Sequence, residues 1–143
     1  MKIYLLNKAE NTIVNRINQL LSLLSPSLKP INFDRLEELI SANDFKLFMA
    51  ETESGDIAGM LSLTVCKTLT CNKYWIEDVV VDEVYRGKGI GRKLLNAAID
   101  YVKSEEQELN IYLTSNPRRV AARNLYVSEG FEEYDTGVFR IKK

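Results

Sequence analysis

Residues 79–93 read Val79-Val80-Val81-Asp82-Glu83-Val84-Tyr85-Arg86-Gly87-Lys88-Gly89-Ile90-Gly91-Arg92-Lys93. Three consecutive valines have the composition of a buried strand, and they lead into a turn with glycine at positions 87, 89 and 91. A helical spacing follows, in which Leu94, Leu95, Ala98, Ile99 and Val102 turn inward. Glycine tolerates positive φ and lets backbone N–H groups come close to a ligand. Those amides and the positive end of the helix make an anion site suited to phosphate. Arg86, Lys88, Arg92 and Lys93 supply matching charge. A plain strand-to-helix turn with solvated cations is the bland alternative, but three glycines, four cations and a helix start together favour phosphate.

Two other phosphate loops fail on spacing. A Walker A loop needs Lys followed by Ser or Thr after G-x-x-x-x-G, and no such frame exists here. A dinucleotide-binding loop needs G-x-G-x-x-G, where the third position from Gly87 falls on Arg92.

Working outward, residues 2–6 read as a strand, and Ile13, Val14, Ile17, Leu20, Leu21 and Leu24 as the apolar stripe of a helix stopped by Pro26 and Pro30. Asn32 or Asp34 can cap a second helix carrying Leu36, Leu39 and Ile40. Residues 45–51 and 57–65 predict an antiparallel hairpin, 74–82 a third strand, 90–103 a helix, 109–114 a strand, 119–129 a helix closed by Gly130, and 131–141 a final hairpin. The order is βααβββαβαββ, an α/β fold with a mixed central sheet. The βαβ unit over 74–114 demands a parallel pair, the place where open α/β sheets bind ligands.

Arg86-Gly87-Lys88-Gly89-Ile90-Gly91 resembles the R/Q-x-x-G-x-G/A signature of the GNAT N-acetyltransferases, following a strand that ends Val-Val-Val-Asp. Ala122, Leu125, Tyr126, Gly130 and Phe131 are similar to a second run of that family, A-x-x-L/F-Y-x-x-x-G-F. The resemblance is strong over residues 75–131 and one of pattern only over the first 44. Arg119 stands where many members carry Asn, and Arg123 precedes Asn124 where some small bacterial members place the Asn itself. The resemblance implies a single GNAT domain over residues 1–143, with a splayed parallel pair. It implies acetyl-CoA as co-substrate, its pyrophosphate on the amides of Gly87, Lys88, Gly89, Ile90 and Gly91. Its pantetheine arm would pair with the backbone of Val79, Val80 and Val81. Arg86 and Arg92 add charge to this cofactor site, and Arg119 and Arg123 are candidates for the 3′-phosphate end. Tyr126 is implied as the acid that protonates the departing thiolate.

An amine acceptor must lose a proton, and with no histidine in the chain carboxylates are the candidates. Glu77 and Asp78 open the binding strand, as base or as amine-binding groups. Simple alternation puts Glu77 with Val79 and Val81 on one face and Asp78 with Val80 on the other. Glu77 lies four residues from Val81, about 13 Å at roughly 3.3 Å per residue, comparable to an extended pantetheine arm. A solvated pair at the strand start is the competing reading. The function expected is N-acetyl transfer to a primary amine of a small molecule or peptide. A CoA-binding sensor without catalysis is the alternative, followed by a phosphate- or nucleic-acid-binding module.

Composition narrows the remainder. The 143 residues fit one domain, with 45% hydrophobic and 27% charged residues. A net charge of −1 and the lack of aromatics interleaved with the basic clusters argue against nucleic acid. The absence of histidine removes Ser-His-Asp and Cys-His nucleophiles and His-ligated zinc, so no metal is expected. Cys66 and Cys71 lack C-x-x-C spacing and read as reduced thiols. Four apolar residues near Met1 are too few for a signal peptide, and no run approaches a membrane span. A cytoplasmic monomer or homodimer is expected.

Overall fold

The computed structural model describes residues 1–143. Its strands are β1 (Lys2–Leu5), β2 (Phe45–Glu51), β3 (Ile57–Lys67), β4 (Asn72–Val81) and β5 (Ile111–Leu113). Its helices are α1 (Asn11–Leu24), α2 (Phe33–Ser41), α3 (Ile90–Glu105) and α4 (Val120–Ser128). A single 3-10 turn at Glu83–Tyr85 precedes the glycine loop. The strands form one sheet in the order β1-β2-β3-β4-β5. Neighbours are antiparallel except β4 and β5, the parallel pair joined through α3.

The apolar periodicities sort onto two faces. Leu94, Leu95, Ala98 and Val102 of α3 pack with Leu61, Leu63, Tyr74 and Ile76 in one core. Val14, Ile17 and Leu20 of α1 and Leu36 of α2 pack with Leu47, Met49, Met60 and Val80 in the other. β3 is covered on both sides, which is why every residue from Ile57 to Leu63 is buried. Asn32 caps α2 by accepting from the Arg35 amide at 2.8 Å.

Two expectations fail. The first nine elements appear in order, but residues 131–141 form no hairpin. A β5 of three residues offers too short an edge to template two further strands, and an unsupported hairpin is marginal in water. Val138, Phe139 and Ile141 consequently stand 78%, 96% and 101% exposed.

The second failure is alternation along β4. Ser62 faces Glu77 while Met60 faces Val80, so β4 carries an extra residue there. Asp78 adopts φ +51°, the left-handed conformation of a bulge residue. Tyr74 and Ile76 belong to the α3-side core, yet Val80 belongs to the other, and Val79 and Val81 pack on the α3 side. Glu77 therefore shares a face with Ser62 and Val80, not with Val79 and Val81.

Candidate active site

The site is a fork in the sheet. β4 and β5 pair only over Tyr74↔Ile111, Trp75↔Tyr112 and Ile76↔Leu113. Beyond Ile76 the bulge at Asp78 bends β4, and the stretch Val79–Val81 runs on with β3 alone as partner. One edge of that stretch faces the opening. The expected splay is present, and β5 is shorter than the 109–114 read from sequence.

The glycine loop closes the mouth of the fork. Gly87 and Gly89 take φ +80° and +76°, and a Cβ at either would project into open space. Gly89 is also the N-cap of α3. The backbone amides of residues 87–92 donate to no acceptor in the protein. Six neighbouring donors and a helix N-terminus make a cradle for a polyanion. Gly91 has a different function: a Cβ there would lie 3.3 Å from Leu125 Cδ2, so its absence lets α4 pack against α3.

A charged staple from α1 fixes the approach to this loop. Arg16 Nε and Nη2 donate to the Ile57 carbonyl at 2.9 and 2.7 Å, and Nη2 also reaches Asp82 Oδ2 at 2.6 Å. Asp82 Oδ1 accepts from the Val84 amide, capping the 3-10 turn. The Arg16 hydrogen bond holds the Asp82 carboxyl below the usual carboxylate range. Sequence reasoning missed Arg16. Its signal was present: a lone cation beside Ile13 and Ile17 on the apolar stripe of α1.

The predicted cations divide. Arg86 Nε donates to the Val81 carbonyl at 3.1 Å, at the end of β4 beside the loop. Lys88 Nζ lies 5.6 Å from the Tyr85 ring centroid. Arg92 pairs with Glu129 at the C-terminal end of α4, and Arg123 pairs with Glu133 while Nη1 donates to the Ser115 carbonyl at 3.4 Å. These two guanidinium groups are thus engaged with acidic partners that sequence reasoning did not single out. Arg119, at the N-cap of α4, is near enough to Tyr126 to oppose the rise in its pKa.

Tyr126 enters from the α3 side of the sheet. It is 6% exposed, in edge-on contact with Phe131 at 6.1 Å between ring centroids, and its hydroxyl has no hydrogen-bond partner in the protein. Burial pushes its phenol above the ordinary value, so it stays protonated at neutral pH. Just past β5, Ser115 Oγ is buried and also lacks a partner.

Glu77 and Asp78 occupy the opposite side. Ser62 Oγ donates to Asp78 Oδ2 at 2.8 Å and fixes that carboxylate. Glu77 is exposed, and local desolvation of its carboxyl, and then the adjacent Asp78 charge, raise its pKa. The bulge brings the two carboxylates together, where regular alternation would have separated them. Ser62, the one buried polar residue of the core, is another contributor that sequence reasoning missed. No group of three or more His, Cys, Asp or Glu side chains is placed to hold a metal ion. No helix is long and apolar enough to cross a membrane.

The site thus combines an open strand pair, free amides at its mouth, a protonated phenol on one side and a carboxylate pair on the other. The sequence model of the Acetyltransferase (GNAT) family matches residues 14–131. The chain belongs to the GNAT acetyltransferase family. It is 33% identical over 60 residues to the spermine/spermidine N(1)-acetyltransferase of Bacillus subtilis, a match over 42% of this chain and 40% of that enzyme. The matched segments span less than half the length of the curated relatives. Among solved structures, an aminoglycoside acetyltransferase from an uncultured soil metagenomic sample, in complex with sisomicin, superposes with a TM-score of 0.82. That match is 23% identical and covers 99% of this chain and 96% of the other. AAC(6′)-Iy, in complex with the bisubstrate analogue CoA-S-monomethyl-acetylneamine, gives 0.77 at 19% identity, covering 99% and 97%.

Proposed function

We propose that residues 1–143 act as one N-acetyltransferase domain that moves the acetyl group of acetyl-CoA to a primary amine by direct attack. The observation that carries this reading is the fork itself, with Tyr126 on one side and Glu77 and Asp78 on the other. Acetyl-CoA fits the residues present: the positions a Cβ would take at Gly87 and Gly89 are open, and six amides at the mouth await acceptors. Those amides and Arg86 would hold its phosphates, and the edge of Val79–Val81 that no strand covers its pantetheine amides. The buried Ser115 hydroxyl has an unmet bond that a ligand in the fork can complete.

When bound, acetyl-CoA supplies a thioester whose C–S bond breaks as the amine forms a C–N bond to the acetyl carbon. The chain's own residues move the two protons. Tyr126, held protonated by burial, gives its proton to the departing sulfur. Glu77, its pKa raised, accepts a proton from the acceptor ammonium, directly or through water, while Asp78 holds the amine by charge. Acetylation of amines by the polyamine and aminoglycoside enzymes supports an amine acceptor here.

Thiol release from acetyl-CoA over a panel of amines tests the reading. Tyr126→Phe is expected to lower kcat by about 10²–10⁴ with CoA affinity nearly intact. Equal activity of that variant removes Tyr126 from the mechanism. Tight CoA binding without turnover of any amine turns the reading toward a sensor.

A further inference from the structure

A cavity of about 480 Å³ lies between the helical layer of α1 and α2 and the sheet, and it reaches the fork at Asp78. Its size suits a single small ligand. Leu21, Leu28, Ile31, Leu39 and Phe45 form its apolar walls. The α1–α2 loop that supplies two of them is pinned to α1 by a reciprocal pair. Asn18 Nδ2 donates to the Ile31 carbonyl at 2.9 Å, and the Ile31 amide donates to Asn18 Oδ1 at 2.8 Å.

The charged and polar groups lining this cavity are sorted by origin. Asp44, Thr64 and Asp78 come from the sheet side, and Lys29 and Arg35 from the loop and α2. Asp78 is the bulge residue beside Glu77, its Oδ2 already taken by Ser62. Arg35 meets only the exposed Glu38, at 3.5 Å, and Lys29 has no acidic partner within 4.0 Å. The cavity therefore presents Asp78 at its fork end, Asp44 beside Phe45 at the start of β2, an apolar middle and two cations on its helical cover.

Resting on the acetyltransferase reading, we infer that the acceptor is a primary amine with an apolar body and a separate carboxylate, the chemistry of short peptides headed by an apolar residue. Its ammonium sits against Asp78 at the fork, its apolar part against the leucines and Phe45, and its carboxylate against Lys29 and Arg35. A polyamine of similar length puts its further ammonium groups among Lys29, Arg35 and Asp44, where two cations face one carboxylate. Like charges brought together this way select against it.

Calorimetric titration of the CoA complex separates these outcomes. The probes are a leucine-headed dipeptide and tripeptide with free carboxylates, the C-terminal amides of both, and spermidine. The carboxylates are expected to bind about tenfold more tightly than their amides, since two exposed ion pairs are lost together. The double variant Lys29→Gln, Arg35→Gln closes that gap, with the Tm of its CoA complex as the control for folding. Asp78→Asn weakens carboxylate and amide alike. Equal binding of acid and amide, tighter binding of spermidine, or binding of no probe to a protein that still binds CoA overturns the assignment. Thiol release measured on the same samples keeps the two readings apart. Carboxylate-dependent binding without turnover removes the catalytic reading and leaves the occupant of this cavity as stated.

Discussion

Glu77 shows how one backbone irregularity changes the chemistry of a side chain. Its carboxyl is pushed up by local desolvation and by Asp78, a neighbour the bulge sets on the same side. A carboxyl whose folded pKa exceeds its unfolded value of about 4.3 binds more protons in the native state, so stability falls as pH rises through the interval between them. Removing the charge at neutral pH removes that penalty. Glu77→Gln is expected to raise Tm at pH 7 and to leave it unchanged below about pH 3, where both states are protonated. The same variant lowers kcat if Glu77 accepts the amine proton, whereas a rise confined to the acceptor KM makes it a binding group. Gly89 is the second residue-scale case. At φ +76° and beside open space, Gly89→Val strains the N-cap of α3 and fills the cradle. The Tm rise that saturating acetyl-CoA gives the parent protein is expected to vanish in the variant. A persisting rise moves the phosphate site away from this loop.

At the scale of elements, the Arg16 staple shows how a helix remote in sequence holds the loop. It joins α1 to the Ile57 carbonyl of β3 and to Asp82 at the end of β4. Both side chains are mostly screened from solvent, at 23% and 18% exposure. Arg16→Met is expected to destabilise the fold by about 1.5–3 kcal/mol at pH 7, the scale of hydrogen bonds made to charged groups. Asp82 has a depressed folded pKa, so its contribution is present above the unfolded value of about 3.9 and is lost as pH falls through the folded one. Denaturant melts at pH 7 and pH 3 check this: the gap between parent and variant shrinks at the lower pH. An unchanged gap means that Arg16 acts through Ile57 alone. Because Asp82 caps the 3-10 turn ahead of the cradle, acetyl-CoA affinity is expected to fall in the same variant.

For the molecule as a whole, the C-terminal segment is the part the fold leaves uncovered. Glu133 pairs with Arg123, and Tyr134 stacks on Tyr112 at 6.0 Å, itself stacked on Trp75 at 5.2 Å. Beyond them the apolar side chains of Val138, Phe139 and Ile141 are exposed. Deleting residues 137–143 is expected to leave Tm within about 1 °C, while deletion from residue 132 lowers it by removing the pair and the stack. A large loss on the shorter deletion would show that the tail packs in solution. Much of this architecture was legible beforehand. The stripe of α1, the cap of α2, the valine strand and the glycine turn are local patterns, set by side-chain period and by which residues accept positive φ. They determined the α/β order, the parallel pair and the glycine loop at its mouth. Tertiary structure decided what depends on partners distant in the chain. It placed Asp78 as the extra residue opposite β3, so that Glu77 and Asp78 share a side. It joined Arg16 to Asp82 across 66 positions and engaged Arg92 and Arg123 with Glu129 and Glu133. It also left the last hairpin unformed, because a strand's pattern states only that it can pair, and pairing requires an edge long enough to receive it.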